Sequence, residues 1–120
     1  MMKQGSRILV VDDEINFADS LKDLLEIEGY DSSAIYSGQE ALEKIKKEKY
    51  DLILLDAKMP VLDGFATYKE IKKINPCLVV IMMTGFAVEN LIKDILKEGV
   101  FKVLYKPLDI PKLMQHLASA

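Results

Sequence analysis

The sequence predicts an α/β fold built on one five-stranded parallel sheet with helices on both of its faces. Five short apolar runs recur along the chain, and amphipathic stretches lie between them. Three of the runs are apolar at every position rather than at alternate positions. Strands that helices cover on both faces have this continuous apolar character, and a regular alternation of strands and helices favours parallel pairing.

The apolar runs predict strands at residues 8–11, 33–35, 52–55, 78–83 and 103–105. The second run is the weakest because it begins with the polar Ser33. We therefore expect the second strand at an edge of the sheet, where one side is left open to solvent.

The stretches between the strands predict helices at residues 15–28, 40–47, 65–74, 87–98 and 110–118. Each stretch repeats its apolar residues at intervals of three or four, which places them on one helix face. Gly29, Gly99 and the pair Asn75 and Pro76 follow three of these stretches and are typical of helix ends. For a chain this short, the five-fold alternation favours right-handed crossovers and the flavodoxin-like strand order 2-1-3-4-5.

The composition is that of one folded domain spanning residues 1–120. Half of the residues are hydrophobic and 29% are charged, which excludes a disordered chain. The longest apolar stretch, residues 78–83, falls far short of the roughly 20 residues of a membrane span, and the first residues do not form a secretory signal. Cys77 is the only cysteine, so an intrachain disulfide is excluded. We expect a cytoplasmic protein that does not interact with membranes.

The charge pattern argues against direct binding of nucleic acid. The net charge is −3, and the lysines are spread along the helices with glutamates beside them. A nucleic-acid surface usually concentrates its basic residues on one face, whereas mixed charges are typical of solvated helix faces.

Polar side chains stand at the carboxyl ends of four of the five predicted strands. Asp12 and Asp13 follow the first strand, Asp56 follows the third, Thr84 ends the fourth and Lys106 follows the fifth. Functional sites in open α/β sheets lie outside the carboxyl ends of the strands. Because the first and third strands are neighbours in the expected order, we expect these residues to meet at one edge of the sheet.

These residues have the chemistry of phosphoryl transfer to a carboxylate. Three neighbouring carboxylates repel one another unless a cation lies between them, and Mg²⁺ prefers hard oxygen ligands. Lys106 adds a compact positive charge and Thr84 adds a hydroxyl donor, both suited to phosphoryl oxygens. An aspartate can then act as the nucleophile.

Each of these residues also has an ordinary structural interpretation. An aspartate pair or a threonine commonly caps a helix, an aspartate often lies in a turn, and a lysine often lies in a solvated loop. The functional interpretation rests on their joint position at the edge that the topology selects.

Four segments resemble the receiver domains of two-component response regulators, including the single-domain chemotaxis type. The segments are residues 8–14 (ILVVDDE), 56–64 (DAKMPVLDG), 83–85 (MTG) and 105–107 (YKP). The second segment is the most specific, and the resemblance covers residues 7 to about 117.

The resemblance implies a role for each acidic residue of the site. Asp56 would be the phosphoacceptor, which takes a phosphoryl group from the phosphohistidine of a sensor histidine kinase or of a phosphotransfer protein. Asp13 and Asp56 would bind Mg²⁺ directly, Asp12 would act through water, and Lys58 would contribute its backbone carbonyl.

The resemblance also implies how the signal leaves the site. Thr84 would hydrogen-bond to the phosphoryl group, Lys106 would pair with it, and Pro107 would follow a cis peptide bond. The phosphoryl group would then alter the surface of the fourth helix, fifth strand and fifth helix. That surface would bind a downstream target, an attached output domain or a second copy of the chain. The chain would promote only its own phosphorylation and dephosphorylation, so it would not be an enzyme.

The sequence departs from the family pattern near the fifth strand. Val103 stands where relatives usually carry an aromatic residue, although Phe101 and Tyr105 lie nearby on the same face by alternation. Gly85 keeps the small residue expected after Thr84. Phe86 is bulky and is predicted to hinder the attacking water, which would give a long-lived phosphoryl group.

Three other functions share parts of this pattern, and the residues argue against two of them. A flavin-binding protein is excluded because residues 12–14 are acidic where a phosphate-binding loop is needed. A phosphatase of the haloacid dehalogenase type would need an acid two residues after its nucleophile, where Lys58 stands. The remaining alternative is a degenerate receiver that acts as an interaction module without phosphorylation.

Overall fold

The computed structural model describes residues 2–59, 63–85 and 89–120, and for residues 89–92 it describes only the backbone. The strands are β1 (Arg7–Val11), β2 (Asp31–Ile35), β3 (Leu52–Asp56), β4 (Val79–Thr84) and β5 (Lys102–Tyr105). The helices are α1 (Ile15–Ile27), α2 (Gly38–Lys47), α3 (Gly64–Ile74), α4 (Glu89–Lys97) and α5 (Ile110–Ser119).

The strands that the structure describes form one parallel sheet in the order β2-β1-β3-β4-β5. The predicted fold class and strand order are therefore confirmed, and β2 lies at an edge. Parallel pairing aligns Val11 with Leu55 and Thr84 with Tyr105, so the strands end close to one another. The carboxyl ends of β1, β3, β4 and β5 thus lie along one edge of the sheet.

The core consists of two apolar layers, one on each face of the sheet. Leu9 and Val11 of β1 pack in the layer that contains residues of α2 and α3, whereas Ile8 and Val10 pack in the layer that contains residues of α1 and α5. All five residues of β3 are buried. The continuous apolar pattern of the central strands therefore reflects burial on both faces, as expected.

The element ends differ from the prediction by a few residues, and local hydrogen bonds explain several of the differences. β2 begins at Asp31 rather than at residue 33, because pairing with β1 extends the strand through polar positions. α2 begins at Gly38 because the Ser37 side chain accepts a hydrogen bond from the Glu40 amide. The predicted start of the fourth helix at Ala87 lies outside the described residues.

None of the helices that the structure describes is both long enough and apolar enough to cross a membrane.

Candidate functional site

Three aspartates meet at the carboxyl ends of β1 and β3. Asp12 and Asp13 directly follow β1, and Asp56 is the last residue of β3. One carboxylate oxygen from each residue lies within 4.8 Å of those of the other two. Asp12 and Asp56 are buried, whereas Asp13 is exposed. The predicted convergence of these residues is present, with one acid open to solvent.

Lys106 places its ammonium group beside two of these carboxylates. Its Nζ lies 2.6 Å from Oδ2 of Asp12 and 3.6 Å from Oδ1 of Asp56. The backbone amide of Lys106 donates to the carbonyl of Thr84 at 2.8 Å, and the Lys106–Pro107 peptide bond is cis. The end of β4 thereby fixes the backbone from which the Lys106 side chain extends.

Both carboxylate oxygens of Asp12 have partners within the protein. Oδ1 accepts a hydrogen bond from the Glu14 amide at 2.9 Å, and Oδ2 accepts one from Lys106. The backbone amide of Asp12 also donates to the carbonyl of Ile35. Asp12 is therefore held firmly in place, and each of its oxygens keeps one lone pair beside an existing hydrogen bond.

Burial and neighbouring charges alter the proton affinities of the site. Burial, reinforced by the negative charge of Asp12, raises the pKa of Asp56 to about 6, despite the opposing effect of Lys106. For Lys106, burial lowers the pKa, but the hydrogen bond to Asp12 and the negative charge of Asp56 outweigh it, so the pKa is raised overall. The ammonium therefore stays charged at neutral pH, and the carboxylates still carry an excess of negative charge.

The charge balance of the cluster fits a bound divalent cation. Three ionised aspartates carry three negative charges, and the Lys106 ammonium that contacts two of them carries one positive charge. A hard divalent cation with oxygen ligands would remove the remaining repulsion. These residues therefore could hold a metal ion of the Mg²⁺ type.

The backbone around Asp56 is closely packed. The Lys58 amide lies 3.4 Å from Oδ1 of Asp56, and the Gly64 amide donates to the carbonyl of Ala57 at 3.1 Å. A Cβ atom on Gly64 would lie 2.2 Å from the Asp56 carbonyl oxygen and 2.6 Å from Cα of Ala57. Gly64 therefore permits a contact between the start of α3 and the end of β3 that no other residue permits without a backbone shift.

Thr84 and Gly85 lie at the carboxyl end of β4, at the same edge of the sheet as the three aspartates. Thr84 is the last residue of β4 and is buried. Gly85 is exposed, and among the residues that the structure describes no atom would lie within 4 Å of a Cβ at that position. Phe86, the predicted barrier to water, lies outside the described residues.

The side chains of β5 separate into buried and exposed positions. Val103 is half-buried against the layer that includes α2 and α3, and Leu104 packs against the opposite layer. Tyr105 is 50% exposed, and Phe101, just before β5, is also exposed. The residue at the usual aromatic position is thus a core-contacting valine, and the aromatic residues on either side of it are in contact with solvent.

Phe17 is a site residue whose contact the sequence analysis did not predict. Its ring centre lies 4.5 Å from Nζ of Lys106, and its side chain is half-buried. Phe17 lies four residues after Asp13, in the first turn of α1. That spacing could have indicated that Phe17 faces the site, but it could not have identified Lys106 as its partner.

A scan against known families matches the chain to the response regulator receiver domain over residues 8–118. The chain is 40% identical over 120 residues to the transcriptional regulatory protein ZraR of Salmonella typhimurium, and the match covers all of this chain and 27% of ZraR. The chain thus spans about a quarter of the length of that relative.

Two further relatives match along most of their own length. Sporulation initiation phosphotransferase F of Bacillus subtilis is 34% identical over 109 residues, which is 91% of this chain and 88% of that protein. A chain in the crystal structure of the CheX–CheY–BeF₃–Mg²⁺ complex of Borrelia burgdorferi is 31% identical. The match covers 97% of this chain and 89% of that chain, with a TM-score of 0.89. The chain therefore belongs to the response regulator receiver domains, the phosphoacceptor signalling domains of two-component systems.

Proposed function

We propose that residues 1–120 form a phosphorylation-controlled switch in which Asp56 accepts a phosphoryl group in a Mg²⁺-dependent reaction. The observation that carries this proposal is the position of Asp56, a buried carboxylate within 4.8 Å of two further carboxylates and 3.6 Å from the Lys106 ammonium. The related complex from Borrelia burgdorferi includes Mg²⁺, which is consistent with a metal requirement.

Each residue of the site has a distinct task in this proposal. Asp13 and Asp56 bind the metal directly, together with the backbone carbonyl of Lys58. Asp12 acts through water, and its hydrogen bonds to the Glu14 amide and to Lys106 hold it in position. When bound, Mg²⁺ neutralises charge on the carboxylates and on the incoming phosphoryl group. Lys106 carries the second positive charge of the site.

The transfer step is a displacement at phosphorus. A carboxylate oxygen of Asp56 forms a bond to the phosphorus atom, and the bond from phosphorus to the histidine nitrogen of the donor breaks. The electron pair of that bond stays with the imidazole, which takes up a proton from solvent. Thr84 donates a hydrogen bond to a phosphoryl oxygen, and Lys106 pairs with the same group.

The output follows from the charge and oxygens that the phosphoryl group adds at the end of β4. These bias the segment that follows Thr84, and with it the surface formed by α4, β5 and α5. We propose that this surface binds a downstream protein, an attached output domain or a second copy, rather than nucleic acid. The phosphoryl group comes from a sensor histidine kinase or a phosphotransfer protein in the cytoplasm. The chain promotes no reaction other than its own phosphorylation and dephosphorylation.

Intact-mass measurement with a small phosphodonor tests the proposal. The wild-type chain, incubated with acetyl phosphate and Mg²⁺, is expected to gain one phosphoryl group, and the gain should disappear in excess EDTA. Asp56→Asn should show no gain, whereas Asp51→Asn, at the opposite end of β3, should behave like the wild type. A gain in both Asp56→Asn and the wild type would mean that another residue is the acceptor. No gain in the wild type, from acetyl phosphate or from a cognate kinase, would favour the interaction module that needs no phosphorylation.

A further inference from the structure

The first turn of α1 brings an aromatic ring onto the ammonium group of the site. Phe17 is half-buried against the layer that contains α1 and α5, and its ring centre lies 4.5 Å from Nζ of Lys106. An ammonium above a ring face at this distance is attracted by the ring quadrupole, most strongly where water is partly excluded. The Lys106 side chain is only 21% exposed, so the contact lies in such an environment.

The other contacts of Lys106 depend on groups that the reaction changes. Its ammonium pairs with Asp12 at 2.6 Å and with Asp56 at 3.6 Å. A divalent cation bound directly by Asp56 would compete with Lys106 for that carboxylate and would lower the negative charge around Asp12, and esterification removes the ionised carboxylate of Asp56. The ring of Phe17 is neutral and unaffected by either event. Its attraction for the Lys106 ammonium therefore does not depend on the charge of either carboxylate.

We propose that Phe17 is a positioning residue for Lys106, holding the ammonium at the edge of the sheet where it meets the phosphoryl oxygens. The inference rests on the proposed function and adds to it a residue that acts through Lys106 rather than on the phosphoryl group itself. Loss of the ring, with the apolar volume kept, should weaken the contact between Lys106 and the phosphoryl group without altering the aspartates.

The substitution Phe17→Leu removes the ring, and Phe17→Tyr retains it. Phe65→Leu is a matched control, because Nζ of Lys69 also lies 4.5 Å from the centre of the Phe65 ring, but that pair lies on α3, and Phe65 packs in the layer on the opposite face of the sheet from Phe17. Four quantities are measured for each variant. They are the Mg²⁺-dependent rate of phosphorylation by acetyl phosphate, the affinity for beryllofluoride, the Mg²⁺ affinity, and the proton chemical shift of the Lys106 ε-methylene group.

Phe17→Leu is expected to lower the phosphorylation rate and the beryllofluoride affinity about fivefold, a typical consequence of losing one cation–π contact. The Mg²⁺ affinity should stay within about twofold, and the ring-current shift of the Lys106 methylene protons should disappear. Phe17→Tyr and Phe65→Leu should match the wild type in all four quantities. In a Lys106→Met background, Phe17→Leu should have no further effect on the rate.

The alternative outcomes separate this inference from the proposed function. An active wild type and an equally active Phe17→Leu variant would overturn the inference alone. So would an equal loss in the Lys106→Met background, or a loss of Mg²⁺ affinity as large as the loss of rate, since either would mean that Phe17 only supports α1. A wild type that takes up no phosphoryl group would overturn the proposed function, and the inference with it.

Discussion

The two ends of the sheet differ in how their charged side chains are paired. At the amino ends of the strands, Arg7 lies 2.8 Å from Glu48 and 3.5 Å from Asp31, and Lys44 lies 2.8 Å from Glu48. The backbone amide of Arg7 donates to Asp51 at 2.7 Å. We call these five residues the amino-end network. In it, each basic side chain has an acidic partner.

The carboxyl-end cluster, which comprises Asp12, Asp13, Asp56 and Lys106, has one basic side chain for three acidic ones, whereas the amino-end network has two for three. At the amino end, hydrogen bonds from Lys44 and Arg7 lower the pKa of Glu48. At the carboxyl end, burial and the charge of Asp12 raise the pKa of Asp56 to about 6. The amino end therefore stabilises the ionised form of Glu48, whereas at the carboxyl end the ionisation of Asp56 costs free energy. The excess of negative charge at the carboxyl end fits an additional cation, whereas the charged side chains at the amino end pair with one another.

The largest effect is expected from Gly64→Ala, which tests how tightly the backbone fixes the carboxyl-end cluster. The new Cβ would meet the Asp56 carbonyl oxygen at 2.2 Å and Cα of Ala57 at 2.6 Å, and neither backbone atom can move without disturbing β3. We expect the free energy of unfolding to fall by about 3 kcal/mol, at the upper end of overpacking costs. Urea denaturation measures this loss.

Gly85→Ala is the control for this prediction, because no atom of the described part of the chain lies within 4 Å of a Cβ there. Its free energy of unfolding should stay within about 0.5 kcal/mol of the wild-type value. A loss of similar size in both variants would show that the effect comes from replacing any glycine and not from the close contact between Gly64 and the Asp56 carbonyl oxygen.

The next largest effect is a gain of stability from Asp56→Asn when no divalent cation is present. The folded-state pKa of about 6 lies above the ordinary value of 3.8, so the folded protein holds the Asp56 proton more tightly than the unfolded chain does. Stability from this group is therefore present below about pH 4 and is lost as the pH rises to about 6. Above pH 6, ionised Asp56 costs about 2 kcal/mol, allowing for partial screening by solvent.

Urea denaturation in EDTA at pH 7.5 and pH 4 tests this second prediction. Asp56→Asn should be more stable than the wild type by about 2 kcal/mol at pH 7.5, and the difference should nearly vanish at pH 4. A variant that is less stable than the wild type at pH 7.5 would mean that the attraction between Asp56 and Lys106 outweighs the cost of burial. The contrast between the two ends of the sheet would then be wrong.

The sequence was sufficient to predict what depends on chain order and apolar pattern. Alternating runs determined the strand order, and the strand order placed Asp12, Asp13 and Asp56 at one edge. The sequence was not sufficient to predict contacts between side chains that lie on distant elements. The contact between Phe17 and Lys106 depends on how α1 packs against the sheet. The shorter distance from Lys106 to Asp12 than to Asp56 depends on a side-chain conformation that no spacing in the sequence encodes.

The close approach of two backbone segments also could not be predicted from the sequence. Gly64 could be recognised in the sequence as part of a motif, but its approach to the Asp56 carbonyl is visible only once α3 is placed against the end of β3. The start of β2 was also missed, since Asp31 and Ser32 are polar. Backbone hydrogen bonds to β1 extend β2 to Asp31, and the hydropathy of the sequence does not reveal such bonds.

The smallest effect is expected at the amino-end network, and its sign should be opposite to that of Asp56→Asn. Arg7→Leu removes hydrogen bonds to Glu48 and to the carbonyl of Lys49, each 2.8 Å long, and the guanidinium that lies 4.7 Å from the centre of the Tyr50 ring. Because the guanidinium is partly exposed, these contacts are screened, and we expect a loss of about 1 kcal/mol at low salt.

Lys73→Leu, which breaks an exposed pair with Glu70, should change stability by less than about 0.5 kcal/mol. Urea denaturation at 20 mM and 500 mM NaCl measures both variants, and the Arg7→Leu loss should shrink at high salt. A gain of stability in Arg7→Leu would mean that the amino-end network is no better balanced than the carboxyl-end cluster. Excess charge would then not identify the functional end of the sheet.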